Sequence, residues 1–260
     1  GSTHVAVVSA GNKAMTDFRP FRHVDRAGDS DIIILCDHAS NTVPSFVGNG
    51  DLGLPPSDMA RHIAYDIGAA GVSHELGTMM SASVLMSNFS RLVIDPNRGE
   101  DDPTLIMRLY DGSVVPANRS LTADQKQERL DRCYRPYHRK IDQELANFRQ
   151  PVLISIHSFT PQLKGRAPRP WHIGVLYAND TRLALPLMQQ FCAFGDICLG
   201  DNEPYHGAIV GDTMDRHGLG PGRLHVLIEV RNDLIETEAG QKNWAARLAP
   251  VLKAAINAAR

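Results

Sequence analysis

The sequence predicts an α/β fold built around a mainly parallel sheet. Short apolar runs, bounded by turn-forming residues, recur at 31–36, 82–86, 92–95, 152–157, 172–177 and 225–230, as buried strands do. Segments with helical apolar spacing lie between them, and that alternation argues for helices packed on both faces of a parallel sheet. Several runs also end in residues that carry chemistry: His38, Asn97-Arg98, His157 and Glu229. In open α/β sheets, ligands bind at the carboxyl ends of strands.

Residues 1–30 show no clear period and are expected to form an arm packed on a single domain spanning 31–260. Asp31 to Cys36 opens the sheet, followed by Asp37-His38-Ala39-Ser40-Asn41. Three prolines and three glycines make 42–56 a loop. Ser57-Asp58 suits the cap of a helix reaching Leu76, with Ile63, Ile67 and Ala70 on one face and Asp66 in its middle. Ala82–Met86 and Leu92–Asp95 read as strands, the second stopped by Pro96. The polar, turn-rich stretch 99–120 suits a lid or substrate loop. Thr122 opens a helix running to Arg149, in which Leu130, Tyr134, Tyr137, Ile141 and Leu145 repeat at helical spacing and Pro136 is a point of kinking. After the strand 152–157 come a basic, proline-rich loop at 160–171, a strand at 172–177, a helix at 181–194, the strand 225–230 and a terminal amphipathic helix at 237–259.

Composition narrows the function classes. The 260 residues are 43% hydrophobic and 22% charged, an ordinary globular balance. A net charge of −2 gives no reason to expect nucleic acid or an anionic membrane as partner. No apolar stretch approaches the roughly 18 residues of a membrane span, and the N-terminus lacks the apolar core of a secretory signal. Cys36, Cys133, Cys192 and Cys198 form no CxxC pair, so free thiols in a reducing, cytoplasmic compartment are expected. Gly48-Asn49-Gly50-Asp51-Leu52-Gly53 neither follows a strand directly nor opens a helix, so it is no dinucleotide fingerprint. Ser155-Ile156-His157-Ser158 lacks the glycines of a hydrolase elbow.

The strand ends point to a metal. Zinc takes imidazole readily, and a catalytic zinc keeps three protein ligands and one open position. One histidine at a strand end is most often merely hydrogen-bonded. A pair, His38 and His157, each at the exit of an apolar run, is a candidate ligand set. Glu229 interrupts Val226-Leu227-Ile228, and a buried carboxylate must be paired, protonated or near a cation. It is therefore a candidate general base. Alternation places Arg231 on the same face, so an ion pair between the two is the plain alternative. Arg98, and with it Asn97 and Arg91, offers the fork that binds a carboxylate. His206, like His217 and Arg166, lies in a glycine- or proline-rich loop where substrate contacts are often found.

The stretches Cys36–Asn41, Ser90–Arg98, Ile156–Pro161 and Ile228–Arg231, with the helix His62–Ala69, resemble the N-formylglutamate amidohydrolase family over residues 30–255. The resemblance implies a three-layer α/β/α sandwich with a central mixed, mainly parallel sheet, similar to zinc carboxypeptidases. It also implies a zinc or other divalent-metal hydrolase of amino-acid breakdown, acting on N-formyl-L-glutamate or a related N-acyl amino acid. By the same resemblance His38 and His157 are metal ligands, Glu229 is the base, and Asn97-Arg98 grips the substrate carboxylate; Arg91, His206 and Arg231 are further candidate substrate contacts. The His-x-x-Glu pattern of the carboxypeptidases meets Asn41 here. The third ligand is therefore open between Asn41, Asp66 and Asp37. Asp37-His38-Ala39-Ser40 also departs from the Pro-His-Ala-Gly-like turn of the histidine-breakdown enzymes, which points toward a paralogue. A metallopeptidase, another deacylase, or a metal-free amino-acid-binding relative remain as alternatives.

Overall fold

The computed structural model describes residues 18–260. Among them, strands β1 (Phe21–Val24), β2 (Ile32–Cys36), β3 (Ser83–Ser87), β6 (Val152–Phe159), β7 (Ile173–Leu176), β8 (Leu199–Asp201) and β9 (Leu224–Arg231) form one mixed sheet. Its order is β1-β3-β2-β6-β9-β7-β8. The central block β3-β2-β6-β9 is parallel, while β1 joins β3, and β7 joins β9, antiparallel. A separate small hairpin pairs β4 (Leu109–Tyr110) with β5 (Ser113–Val114).

Period-2 alternation sorts the strand side chains into two cores. Ile34, Cys36, Val84, Ile154, Ile156, Val226 and Ile228 pack under α2 (Ala69–Met80), α5 (Ala184–Phe191) and α6 (Glu238–Ala259). Ile33, Leu35, Leu85, Leu153 and Leu227 face the opposite layer, made by α4 (Arg135–Leu145) and the buried loop around Leu92–Ile94. The result is a helix layer, a sheet and a helix-plus-loop layer.

Ahead of α4, helix α3 (Ala123–Arg129) starts in a capping box. Thr122 accepts from the Gln125 amide, and the Gln125 side chain accepts from the Thr122 amide. One π-helical turn, Leu130–Tyr134, joins α3 to α4 and precedes Pro136, so the expected kink takes the form of a bulge. Tyr137 then reaches the sheet and donates from its hydroxyl to Asp37 Oδ1 (2.8 Å), with both residues fully buried. Tyr137→Phe is expected to leave that oxygen unpaired and to lower stability by about 1–3 kcal/mol in urea unfolding.

Three sequence expectations need correction. Residues 57–76 are not one helix: a single turn, α1 (Pro56–Met59), is followed by turns, and α2 begins only at Ala69. Gly68 enforces the break. It sits at φ +79°, and a Cβ there would collide with the Ile235 carbonyl. Leu92–Asp95 is fully buried but is a chain of turns, opened by Ser90, whose side-chain oxygen accepts from the Leu92 amide. Within the expected N-terminal arm, Phe21–Val24 adds an edge strand; residues 1–17 lie outside the described residues. All four cysteines are free, and no helix among the described residues is long and apolar enough to cross a membrane.

Candidate metal centre

The parallel block of the sheet delivers its polar residues to one place. β6 and β9 are in register so that His157 stands beside Glu229. Both side chains leave the sheet on the face away from α2, as alternation from Leu153 and Leu227 requires. One strand over, β2 ends at Cys36, and the chain turns out through Asp37 and His38. The break before α2 brings in Asp66, whose amide donates to the His38 carbonyl (2.9 Å).

Asp66 Oδ2 is the centre of the arrangement. It lies 2.9 Å from His157 Nδ1 and 3.3 Å from His38 Nδ1, and it accepts from the Ser158 amide at 3.2 Å. The far nitrogen of each ring is held from behind. His38 Nε2 donates to Asp95 Oδ1 at 2.6 Å. His157 Nε2 is 3.0 Å from Ser155 Oγ and 3.3 Å from Asp37 Oδ2. A carboxylate accepts only, so a ring that donates through Nε2 presents a lone pair at Nδ1. Two such lone pairs and a carboxylate oxygen then converge, and they require either extra ring protons or a cation between them. Metal-binding histidines have this arrangement, with the second nitrogen fixed by a carboxylate.

Charge points the same way. Asp37, Asp66, Asp95 and Glu229 are all buried. Against them stand the two imidazoles and Arg91, whose Nη2 donates to Asp95 Oδ2 (2.9 Å) and whose Nη1 lies 3.7 Å from Asp66 Oδ1. Burial alone would raise Asp66 and Asp95, yet His38 and His157 hold Asp66, and His38 with Arg91 holds Asp95, below the usual carboxylate range. Burial would lower His157, but Asp37 and Asp66 beside it push it well above the ordinary histidine value. Glu229 has no such support. Burial lifts its carboxyl to about 8, against the pull of His157, and its Oε2 has no hydrogen-bond partner among the described residues. Four buried carboxyl groups gathered beside two imidazoles and the Arg91 guanidinium form a set that suits a divalent cation. The donor set His38, Asp66 and His157 fits zinc, since each offers one ligand atom and these lie within 4.8 Å of one another.

These groups open into a cavity of about 440 Å³. Its walls include His38, Asp66, His157, Glu229, Arg91, Asn97, Arg98 and His206. The turn-rich stretch 99–120 contributes Tyr110 from its hairpin. Arg98 reaches the cavity with Nη1 on its neighbour's carbonyl (2.8 Å) and Nε on Thr104 Oγ1 (3.2 Å). Asn97 is buried, and its Oδ1 accepts from the Thr213 amide (3.1 Å), which ties the opposite loop to this wall. In that loop Asp212 lines the same cavity, its carboxyl raised by burial to about 6.

Two expected site residues are not brought in. Asn41 is exposed, and its Nδ2 donates to the Met59 carbonyl (2.9 Å); Asp66 stands at the position considered for it. Arg231 is turned away from Glu229 onto Asp233 (2.7 Å) and lies near the Arg169–Trp171 carbonyls, outside the cavity wall. Sequence reasoning missed Asp95, although Leu-Val-Ile-Asp carries the same signal as Glu229, an acid closing a buried run. It also missed Tyr205 and Asp212, which sit in a loop without periodicity, and the link from His62 Nε2 to Asp111 Oδ2 (2.8 Å) at the cavity edge.

A family model described as N-formylglutamate amidohydrolase matches residues 30–236. Among solved structures, gene product Atu2144 from Agrobacterium tumefaciens aligns with a TM-score of 0.86 and 31% identity, covering 93% of this chain and 96% of that one. The N-formylglutamate amidohydrolase from Ralstonia eutropha JMP134 aligns with a TM-score of 0.61 and 21% identity, covering 92% and 97%, a likeness of fold. No curated protein matches the chain.

Proposed function

The chain belongs to the N-formylglutamate amidohydrolase family, and from that premise we propose that it is a metal-dependent amidohydrolase. It cleaves the amide bond of N-formyl-L-glutamate or a related N-acyl amino acid, giving formate, or the longer acid, and the free amino acid. One observation carries this reading. Glu229, whose Oε2 lacks a hydrogen-bond partner among the described residues, and the convergent donors of His38, Asp66 and His157 line the same cavity.

A divalent metal bound there supplies Lewis acidity and a water of lowered pKa. Glu229 takes a proton from the attacking water and delivers it to the departing amide nitrogen, which leaves as an amine. Asp95 and Asp37 fix the two imidazoles, and the Ser158 amide and Arg91 hold Asp66. Arg98 binds the substrate carboxylate through charge-assisted hydrogen bonds. Arg98→Lys is expected to raise KM for N-formyl-L-glutamate about 10- to 100-fold, with a smaller change in kcat. That range is the scale of losing about 1.5–3 kcal/mol of charge-assisted bonding. Steady-state kinetics on the two proteins checks it.

The direct test is formate release from N-formyl-L-glutamate by zinc-loaded protein, before and after chelation and reloading. No release above background from loaded protein overturns the reading. A second cavity, about 470 Å³, shares Leu176, His206, Gly207, Ile209, Asp212 and Leu227 with the first. It favours a second reading, a deacylase of amino acids with longer acyl groups. Faster turnover of N-acetyl or N-succinyl than of N-formyl substrates would select it. The case for a metal-free binding relative rested on Asn41; the placement of Asp66 beside the two histidines supports the metal-dependent reading over it.

A further inference from the structure

A second group of donors lies away from the cavity, between the edge strand β1 and helix α4. In β1, alternation turns Phe21 and His23 toward the α4 layer and Val24 toward the α2–α6 core. On α4, Glu144 follows the apolar stripe of Tyr137 and Ile141 and precedes Leu145, so its carboxylate is carried inward to 5% exposure. A carboxylate placed there needs partners. Lys140, one turn earlier, takes Glu144 Oε1 at 3.2 Å. The other oxygen, Oε2, lies 3.1 Å from His23 Nε2. The two are close enough to pair as ions when the imidazole is protonated, but among the described residues neither makes a hydrogen bond, although both are buried. Asp25 follows directly from β1. Its Oδ1 accepts from the Ala27 amide (2.9 Å), which steadies the side chain. One ligand atom each from His23, Asp25 and Glu144 lies within 4.8 Å of the others.

We infer that His23, Asp25 and Glu144 form a second metal site, separate from the catalytic centre, that takes zinc or a similar first-row divalent ion and ties β1 to α4. The buried His23 Nε2 and Glu144 Oε2 lie side by side without a hydrogen bond among the described residues, and a cation bound to both would take the place of the imidazole proton. Two carboxylates lie together here beside the Lys140 ammonium, which is engaged with Glu144, a setting that favours a cation. One imidazole with two carboxylates is a mixed nitrogen and oxygen set, suited to zinc, cobalt or manganese rather than to the all-oxygen shells of calcium or magnesium. Asp25 is solvent-facing and leaves an entry path. The site would clip down a four-residue edge strand. An ion that binds the folded chain and not the unfolded one raises the melting temperature.

This inference does not rest on the proposed catalytic function, and one experiment separates the two. Zinc is measured by elemental mass spectrometry after gel filtration of the whole chain, on wild type, His23→Gln, Glu144→Gln and Asp66→Asn, with circular dichroism confirming folding. Two equivalents are expected in wild type and one in each variant. The zinc-dependent rise in melting temperature is expected to shrink in His23→Gln while formate release stays at the wild-type rate. A wild type with one equivalent that Asp66→Asn loses overturns the second site alone. So does an equivalent in Asp66→Asn that persists when His23→Gln and, separately, Glu144→Gln are added. A wild type with one equivalent that Asp66→Asn keeps and His23→Gln loses supports the second site and removes the catalytic metal instead. Glu144→Gln is the more disruptive change, so if it fails to fold, His23→Gln decides.

Discussion

Glu229→Gln is expected to cut formate release by about 10²- to 10⁴-fold, the usual contribution of a positioned acid–base group, while the catalytic zinc stays bound. The amide keeps the shape of the carboxyl in the register slot beside His157, but it cannot accept the proton of the attacking water. The same variant has a second readout in metal-free protein. Burial raises the folded Glu229 carboxyl from an ordinary 4.5 to about 8, so the folded chain holds that proton more tightly than the unfolded chain does. The stability this contributes is fully present below 4.5 and is lost as pH rises through about 8. The substituted amide does not titrate. Urea unfolding in chelator should therefore show Glu229→Gln gaining on wild type between pH 4.5 and 8 and levelling off above. The gain is on the order of a few kcal/mol, at about 1.4 kcal/mol per pKa unit. A variant that keeps near wild-type turnover removes Glu229 as base, and parallel stability curves show that its carboxyl is not desolvated.

The central strands were legible because being buried on both faces writes a continuous apolar run, as in Val152–Ile154 and Val226–Ile228. The edge strands β1 and β8 were not, since they are three or four residues long and half-covered. Leu92–Ile94 shows the limit of the same rule: a buried run lacking strand pairing reads like one that has it. Within the site, His38, His157 and Glu229 announced themselves by closing apolar runs. The third carboxylate did not, because its position depends on a chain break. Helical spacing ran through 57–76 without interruption, and only Gly68, forced to positive φ against the Ile235 carbonyl, ends that pattern and frees Asp66 to face the histidines. Ile235 is far from Gly68 in sequence, so no local signal carries this. The proximity of Asn41 to His38 in sequence suggested a ligand that the fold turns outward.

Asp66→Asn is expected to lose the catalytic zinc and bring formate release to background, whereas Asn41→Ala keeps both. Asp66 Oδ2 is the one atom that both imidazole Nδ1 atoms and the Ser158 amide address. Its carboxylate is held ionised against burial by the two histidines, so it is charged at every pH where the enzyme would work. Asparagine keeps the volume and removes the charge. A neutral amide is a poor zinc ligand, and an amide nitrogen turned toward the rings would place a donor where the lone pairs need a cation. Asn41 instead donates outward to Met59 and can be truncated at the cost of one exposed hydrogen bond. Loss of a buried charge also bears on folding, because the His38 and His157 imidazoles lose the carboxylate that both address. Circular dichroism and the zinc content of Asp66→Glu resolve this, since the longer carboxylate keeps the charge and should recover part of the metal. Zinc retained at full occupancy in folded Asp66→Asn, or lost in Asn41→Ala, would overturn Asp66 as the third ligand.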